Sequence, residues 1–411
     1  MVDIRPVDWR LALLKQNPFP NSPPRRPEEA VWAGFDKLKG QFENLLGEAL
    51  TTSRTQVILN WGEWGSGKTH AAVYFSCLDS LSSKVSAKQV RQVWNLYIQT
   101  PKEADRAGEL FYRDIVEAIG FRKLRKEILR IIETYGDQNA LEKLQEATES
   151  EILGKSLWLL GFERDSSGKL SLFQEEGASE EWQRLLEAYF FSETTKTDLK
   201  TLGLSRGISS ARDRSHILGG LLRCLTGFAP TSETEEHSRV ILWIDELEDL
   251  IYYTARHYRP FTQGLRELID FVPYYLTLLM NITLASPEAF EDTTTILGEA
   301  ILDRVTDQVQ FHSPSEKEAL EYFCDLVNHP HYRTEDPKAR GLPDTYPFAK
   351  SAIVNLIANL PNRTPRDVNQ RCSEVVRKAF QRGIISGLGE GVIDKDFVLS
   401  LEEERIERDM R

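Results

Sequence analysis

Apolar residues along the chain fall into two kinds of pattern. Trp32, Phe35, Leu38, Phe42, Leu45, Leu46 and Leu50 recur at helical spacing and predict a helix over 27–50. Short unbroken apolar runs stand apart from it. Val57-Ile58-Leu59 leads into a glycine-rich turn, a second run covers 93–98, and a further one covers 276–284. The strongest is Val240-Ile241-Leu242-Trp243-Ile244. Runs with no polar alternation suit strands covered on both faces, as in a parallel sheet between helix layers. Helices are predicted at 104–119, 215–225 and 263–272, and from 315 the helical pattern runs almost to the end.

The remaining stretches differ in kind. Pro6, Pro18, Pro20, Pro23, Pro24 and Pro27 make residues 1–30 read as an extended arm and not a packed element. The charged region 121–214 reads as helical pieces, with an exposed turn at Asp165-Ser166-Ser167-Gly168, and a polar loop covers 229–238. No internal repeat is visible. The expectation is an α/β fold, a parallel sheet flanked by helices over 31–312, with a large mainly helical insertion at about 121–214. A helical lid and short tail over 313–411 follow, and the arm over 1–30 precedes.

Composition narrows the class. Hydrophobic residues make up 41% and charged residues 28%, which excludes a wholly disordered, collagen-like or simple coiled-coil chain. Acidic residues outnumber basic ones, 63 to 51, for a net charge of −12. The overall field therefore disfavours nucleic acid, and DNA contact needs a local basic patch or an assembly that gathers small ones. The cysteines Cys77, Cys224, Cys324 and Cys372 are scattered, with no Cys-x-x-Cys pair. Thiols in a reducing compartment are expected, without zinc or disulfides. His329-Pro330-His331 lacks metal-site spacing and reads as a loop. The start, Met1-Val2-Asp3-Ile4-Arg5, is not followed by the apolar core of a signal peptide, and the apolar stretch 275–285 is broken by Thr277, Asn281 and Thr283. A cytoplasmic location without membrane contact is expected.

Chemistry enters at the first strand. Gly62-Glu63-Trp64-Gly65-Ser66-Gly67-Lys68-Thr69 matches G-x-x-x-x-G-K-[ST] at every fixed position, after a strand and before a helix-like run from His70. Glycines let successive backbone N–H groups converge on phosphate oxygens, and the helix that follows turns its positive end toward them. Lys68 is then the cation for the β- and γ-phosphates, and Thr69 offers a hydroxyl to Mg²⁺. The strand 240–244 ends in Asp245-Glu246. At the ligand end of a nucleotide-binding sheet, Asp245 would hold Mg²⁺ through water and Glu246 would act as general base. Glu248 and Asp249 read as acids at a helix start.

With both motifs in place, the chain resembles the AAA+ ATPases, and within them the initiator-type clade of origin-recognition proteins, transposition regulators and bacterial defence ATPases. The early Asn17-Pro18-Phe19 and Val31-Trp32-Ala33-Gly34 resemble that clade's adenine-side segment. Leu265-Arg266-Glu267-Leu268-Ile269-Asp270 and Ser286-Pro287-Glu288-Ala289-Phe290-Glu291-Asp292 are similar to ATPases of phage-defence operons. The resemblance implies ATP and Mg²⁺ as ligands, held between core and lid, and a ring or filament of like subunits. It implies a γ-phosphate sensor at Ser286, with Asn281 as the lesser candidate, and an arginine finger at Arg304 in Ala300-Ile301-Leu302-Asp303-Arg304-Val305. It also implies a second sensor at Arg366, with Arg363 as runner-up, in Asn362-Arg363-Thr364-Pro365-Arg366-Asp367. Two departures stand out. The stretch between the motifs is much longer than a minimal core needs, and the short tail leaves no room for the winged-helix domain that initiators use on DNA.

Smaller signals remain open. Arg122-Lys123-Leu124-Arg125-Lys126 in the insertion, and Arg212 with Arg214 and Arg206, are candidate DNA contacts or solvated helix faces paired with acids. Tyr252, Tyr253, His257, Tyr258 and Phe261 suggest core or interface packing more than base stacking. Two functions follow as expectations. One is an oligomeric ATPase that assembles on duplex DNA and recruits an effector protein in antiviral defence or mobile-element control. The other is a nucleotide-dependent switch that binds a protein partner through its insertion, without DNA.

Overall fold

The computed structural model describes residues 7–76, 90–164, 169–174, 179–228, 237–252 and 254–409. The expected turn at 165–168, most of the polar loop at 229–238, Cys77 and Tyr253 lie outside them. The architecture is α/β, as the apolar runs indicate. A five-stranded sheet is formed by β1 (Gln56–Gly62), β2 (Val90–Gln99), β5 (His237–Asp245), β6 (Leu276–Thr283) and β7 (Asp307–Phe311), in the order β2-β5-β6-β1-β7. Every pairing in it is parallel. The unbroken apolar run of β5 is explained by cover on both faces: all nine of its residues are buried. Side chains alternate across the sheet. Val240, Leu242 and Ile244 join one core cluster, whereas Ile241 and Trp243 join the other, against α1 (Asp36–Thr51) and α2 (Lys68–Phe75) through Phe42, Leu46 and Phe75.

The first cluster extends well beyond the sheet. It takes in α3 (Ala107–Ile119), α4 (Phe121–Tyr135), α5 (Asp137–Thr148), α6 (Glu151–Leu159), α7 (Glu180–Phe190), α8 (Lys196–Leu202), α9 (Ala211–Thr226), α10 (Ala255–Phe271), α11 (Asp292–Leu297) and α12 (Glu299–Leu302). The described residues of 121–214 are thus mainly helical and share their apolar interior with the sheet. It also carries a short hairpin, β3 (Phe162–Arg164) with β4 (Leu170–Leu172). Phe261 is buried here, edge-on to Phe111.

Arg125 is a correction to the expected DNA patch. Its side chain is fully buried, ion-paired to Glu163 at 2.6 Å, with Nε and Nη2 donating to the Leu160 and Phe162 carbonyls at 2.9 and 2.7 Å. The guanidinium lies over the Phe173 ring at 3.9 Å. It fastens the hairpin to α4 and cannot meet a phosphate backbone. Arg122, Lys123 and Lys126 remain exposed on that helix. Breaking a buried pair from one side costs about 3–5 kcal/mol, so Arg125→Ala should lose that much in denaturant unfolding. Lys123→Ala should stay within about 0.5 kcal/mol of the parent.

A separate core holds the C-terminal helices α13 (Glu316–Asn328), α14 (Lys350–Ala358), α15 (Pro365–Gln381) and α16 (Lys395–Asp409). Ala12, Leu13, Leu14 and Phe19 belong to it and are fully buried, and Phe19 stacks on Phe323 with ring centroids 5.8 Å apart. The expectation of an unpacked arm is therefore corrected for residues 12–19, whereas 20–30 are exposed or half-buried. The prolines deny it regular hydrogen bonding, not burial. The helix expected over 27–50 begins only at Asp36, because Gly34 and Phe35 take left-handed φ of +58° and +53°. A Cβ on Gly34 would lie 2.9 Å from the Tyr322 Cα. Among the described residues, no helix is long and apolar enough to cross a membrane.

Candidate active site

The carboxyl ends of the parallel strands meet at one edge, where ligands of such sheets bind. There β1 ends at Gly62 and the loop to α2 begins. Gly65 and Gly67 have φ of +76° and +104°, a backbone that residues with a Cβ rarely adopt. Close approach adds a second demand: a Cβ on Gly62 would lie 2.4 Å from the Phe311 carbonyl oxygen, and one on Gly65 would lie 2.8 Å from the Arg366 Cβ. The loop is thus wedged between the last strand and the start of α15. Thr364 caps that helix by accepting from the Asp367 N–H, with Pro365 in its first turn, and so fixes Arg366 against the loop.

A cavity of about 1140 Å³, including its open mouth, lies over this edge. Trp64, Gly65, Ser66, Gly67, Lys68, Thr69 and His70 line one side, Asp245, Glu246, Glu248 and Thr283 another, and Pro365, Arg366 and Asn369 a third. Its far end is apolar, formed by Val31, Ala33, Phe35, Leu38, Tyr322, Leu326 and Tyr332, and Pro20 to Pro23 border it. A charged, glycine-lined end and an apolar end in one cleft match the two halves of a nucleotide. His70 ties the ends together, its Nε2 donating to the Val31 carbonyl at 2.9 Å, and burial pulls its pKa down.

Each charged group has a distinct setting. The Lys68 amine is buried and donates to the Gly62 and Glu63 carbonyls at 2.9 Å and to the Ser66 hydroxyl at 3.3 Å. Burial pulls its pKa down to about 8, against the upward pull of Glu248 and Asp245. Asp245 is 2% exposed. Its Oδ1 accepts from the Glu246 N–H at 3.0 Å and the Asn281 amide at 3.1 Å, and its Oδ2 from the Tyr97 hydroxyl at 2.9 Å. Glu246 takes a left-handed φ of +61°, unusual for a residue with a side chain. Lys102 lies 3.4 Å from its Oε2. Burial raises the Glu246 pKa, Lys102 opposes that rise, and Asp245 and Asp249 add to it.

These residues fit Mg²⁺ and a triphosphate. The loop is a cradle of glycines with a buried amine inside it, and a hydroxyl and an oriented carboxylate stand at its edge, hard oxygen donors of the kind Mg²⁺ prefers. Gly62 and Glu63 are met through their carbonyls, since both accept from Lys68.

Other expected residues lie elsewhere. Ser286 precedes the short turn Pro287–Glu291 and does not line the cavity. Asn281 does not line the cavity either, but its amide donates to Asp245 at 3.1 Å and reaches the Lys68 carbonyl at 3.4 Å. Arg304 is held within its own chain by Asp270, with Nε and Nη2 both at 2.8 Å, away from the cavity lining. Arg363 pairs with Glu316 at 3.0 Å. Arg212 is exposed and donates to the His216 ring, Arg214 is half-buried, and Arg206 pairs with Asp213 at 2.7 Å.

Sequence reasoning missed several participants. Glu248 stands in the first turn of the short helix Leu247–Tyr252, as expected of a helix-start acid, and is in addition buried at the cavity wall, where it accepts from the Thr283 N–H at 2.9 Å. Tyr97 and Lys102 carried no signal beyond lying at or after a strand end. Pro20 to Pro23 border the cavity because the proline-rich segment packs across it, beside Val31, Trp32 and Ala33 of the expected adenine-side segment.

No family model matches the sequence, and no curated protein matches it either. Among solved structures the chain is similar to the ORC1 protein of Aeropyrum pernix in complex with DNA, at 12% identity and a TM-score of 0.46, over 97% of this chain and 70% of that one. It is similar to Drosophila ORC bound to DNA, at 11% and 0.45, over 97% and 65%. A Walker-type ATPase of Pyrococcus abyssi is similar at 12% and 0.41, over 96% and 78%.

The charge settings predict a pH profile. kcat/KM reports the ionisation of the free protein. As a general base Glu246 would have to be ionised, and its raised pKa would move the acid limb above that of an ordinary carboxylate. As a phosphate cation Lys68 would have to be charged, so kcat/KM would fall again as the pH rises through about 8. Lys102→Met removes the cation that opposes the rise at Glu246 and should move the acid limb to higher pH. Phosphate release measured across pH 5 to 10 checks both limbs; an acid limb that Lys102→Met moves downward would contradict the assignment.

Proposed function

We propose that the chain hydrolyses ATP with Mg²⁺ as an AAA+ ATPase of the initiator type, working as an oligomer. The observation that carries this reading is the convergence of Lys68, Asp245, Glu246 and Arg366 on one cavity from the loop, the adjacent strand and the C-terminal helices. When bound, Mg²⁺ supplies charge neutralisation at the phosphate oxygens. Thr69 and Asp245 would hold it, the latter through water. Lys68 and the loop N–H groups bind the phosphates, and the apolar end takes the base. Glu246 orients a water and receives its proton as the water oxygen bonds to the γ-phosphorus and the bridging P–O bond breaks. Arg366 binds phosphate from the C-terminal unit, so hydrolysis is felt as a change in the angle between the two cores. Arg304 acts as a finger toward a neighbouring subunit after leaving Asp270.

In this reading the oligomer gathers on duplex DNA through the exposed Arg122, Lys123, Lys126 and Arg212 and recruits an effector protein in antiviral defence or mobile-element control. Burial of Arg125 favours a second reading by thinning the basic patch. In it the insertion docks a protein and DNA plays no part. The test is the ATPase rate against protein concentration, with and without double-stranded DNA, using Glu246→Gln as the blank. A rate that climbs with concentration and rises several-fold on DNA supports the first reading. A rate that ignores DNA removes it and leaves the switch. No hydrolysis above the blank refutes both.

A further inference from the structure

A carboxylate as deeply buried as Asp245 keeps its orientation only if its neighbours fix it. The donors come from both flanking strands. From β2, the Tyr97 hydroxyl donates to Oδ2 at 2.9 Å. From β6, the Asn281 amide donates to Oδ1 at 3.1 Å, beside the Glu246 N–H at 3.0 Å. Asn281 is oriented in turn by Asn60, its register partner on β1, whose amide donates to the Asn281 Oδ1 at 2.8 Å. Asn60 and Asn281 are both buried in the middle of the sheet, where burying an amide costs free energy unless it is hydrogen-bonded. A Val or Leu at either place would pack without that penalty. The polar line Asn60, Asn281, Asp245, Tyr97 crosses the sheet from β1 to β2 and passes through the residue assigned to the metal.

We propose that Tyr97, with Asn60 acting through Asn281, is a positioning clamp that sets the Asp245 carboxylate for Mg²⁺. The inference rests on the nucleotide reading of the cavity. Neither Tyr97 nor Asn60 lines that cavity, so both act through Asp245 and touch no reacting atom. An ionised carboxylate has about four acceptor directions, and the donors above fill all but one. The direction left would be open to a metal-bound water. Without the Tyr97 hydroxyl, Oδ2 loses its partner and the carboxylate would be free to turn.

The test separates metal from nucleotide. A fluorescent ATP analogue is titrated into the full chain in EDTA, and then at fixed analogue against rising Mg²⁺, with phosphate release followed in parallel. Supporting side chains behind a metal ligand are worth about 10–100-fold in metal affinity. Tyr97→Phe, which keeps the ring, should raise the half-saturating Mg²⁺ concentration about tenfold while its affinity in EDTA stays within about twofold of the parent. Asn60→Ser, working from the other strand, should raise the Mg²⁺ requirement in the same direction, and it decides the matter if Tyr97→Phe fails to fold. An unchanged Mg²⁺ requirement in the folded variants overturns the clamp. So does an equal loss of affinity in EDTA and in Mg²⁺, which would mark a structural role. A parent protein that binds the analogue with no Mg²⁺-dependent gain overturns the metal assignment of Asp245 itself, a failure distinct from that of the clamp.

Discussion

Lys68→Ala should reduce ATP affinity by about 100-fold or more, since a charge-assisted hydrogen bond is worth about 1.5–3 kcal/mol and the lysine has more than one to give. Position amplifies the loss. The amine is buried in the cavity wall, where Glu248 and Asp245 are the carboxylates that act on it most strongly. With the cation gone, a triphosphate would face those carboxylates with only backbone N–H groups and Arg366 to offset them. Its present partners, the Gly62 and Glu63 carbonyls and the Ser66 hydroxyl, hold it over the loop that is read as the phosphate cradle. The measurement is titration with a fluorescent ATP analogue, with far-UV circular dichroism to establish that the variant is folded. Affinity within about fivefold of the parent would mean that the loop is not a phosphate cradle. Lys68 also bears on stability. Its folded pKa, about 8, lies below the ordinary 10.5, so the unfolded chain binds this proton more tightly. Its contribution therefore makes the parent more stable as the pH rises from about 8 toward 10.5, and the alanine variant should lack that rise.

What the sequence makes legible follows from how local each determinant is. The run ending at Ile244 could be read as a doubly covered strand because its burial shows in every residue of the run. The loop from Gly62 to Thr69 could be read because its chemistry is contiguous. Determinants that depend on distant backbone could not. Arg125 sits among basic residues and looks solvated, but it adjoins the apolar face of α4 at Leu124 and Ile128, and its partners are carbonyls at 160 and 162. Trp32 fits the helical spacing of the residues after it, yet left-handed turns at Gly34 and Phe35 detach it from the helix. Asn281 and Ser286 lie close together at the end of one strand. Only the register that sets Asn60 beside Asn281 decides which of them faces Asp245.

The proline-rich segment shows the same limit from another side. Proline content reports a lack of backbone donors, which is equally true of an unpacked arm and of a strap lying on a core. Leu13, Leu14 and Phe19 distinguish the two, because they are buried on the C-terminal helices. Residues 20–23 are thereby drawn over the apolar end of the cavity, while Val31 meets His70 of α2. A single stretch of chain thus touches the C-terminal core, the cavity and the helix behind the phosphate loop, and any change in the angle between the two cores would be transmitted along it.

Glu246→Gln should lower the hydrolysis rate by about 100- to 1000-fold, within the range that a positioned general base contributes, and leave ATP binding intact. The amide keeps the shape of the side chain and loses only its capacity to take a proton. Glu246 lies beside the phosphate end but outside the loop, so binding through Lys68 and the backbone should survive. The left-handed backbone at Glu246 is as accessible to glutamine as to glutamate, so the change adds no strain of its own. The ion pair with Lys102 is lost, but that lysine is mostly exposed and the pair stabilises little. Rate and affinity should therefore separate, with phosphate release nearly gone and analogue titration within about threefold of the parent. Lys68→Ala should lose both together. If Glu246→Gln keeps most of the parent rate, the proton goes elsewhere, and the other carboxylates lining the cavity are Asp245, read as the metal's partner, and Glu248, which already accepts from the Thr283 N–H. If instead it loses binding along with rate, Glu246 belongs to the binding site and the division of labour between the loop and the strand end is wrong. An ATP-bound, hydrolysis-blocked variant is also the form in which subunits held together by nucleotide should stay together, so its mass in solution against that of Lys68→Ala reads out whether ATP itself drives assembly.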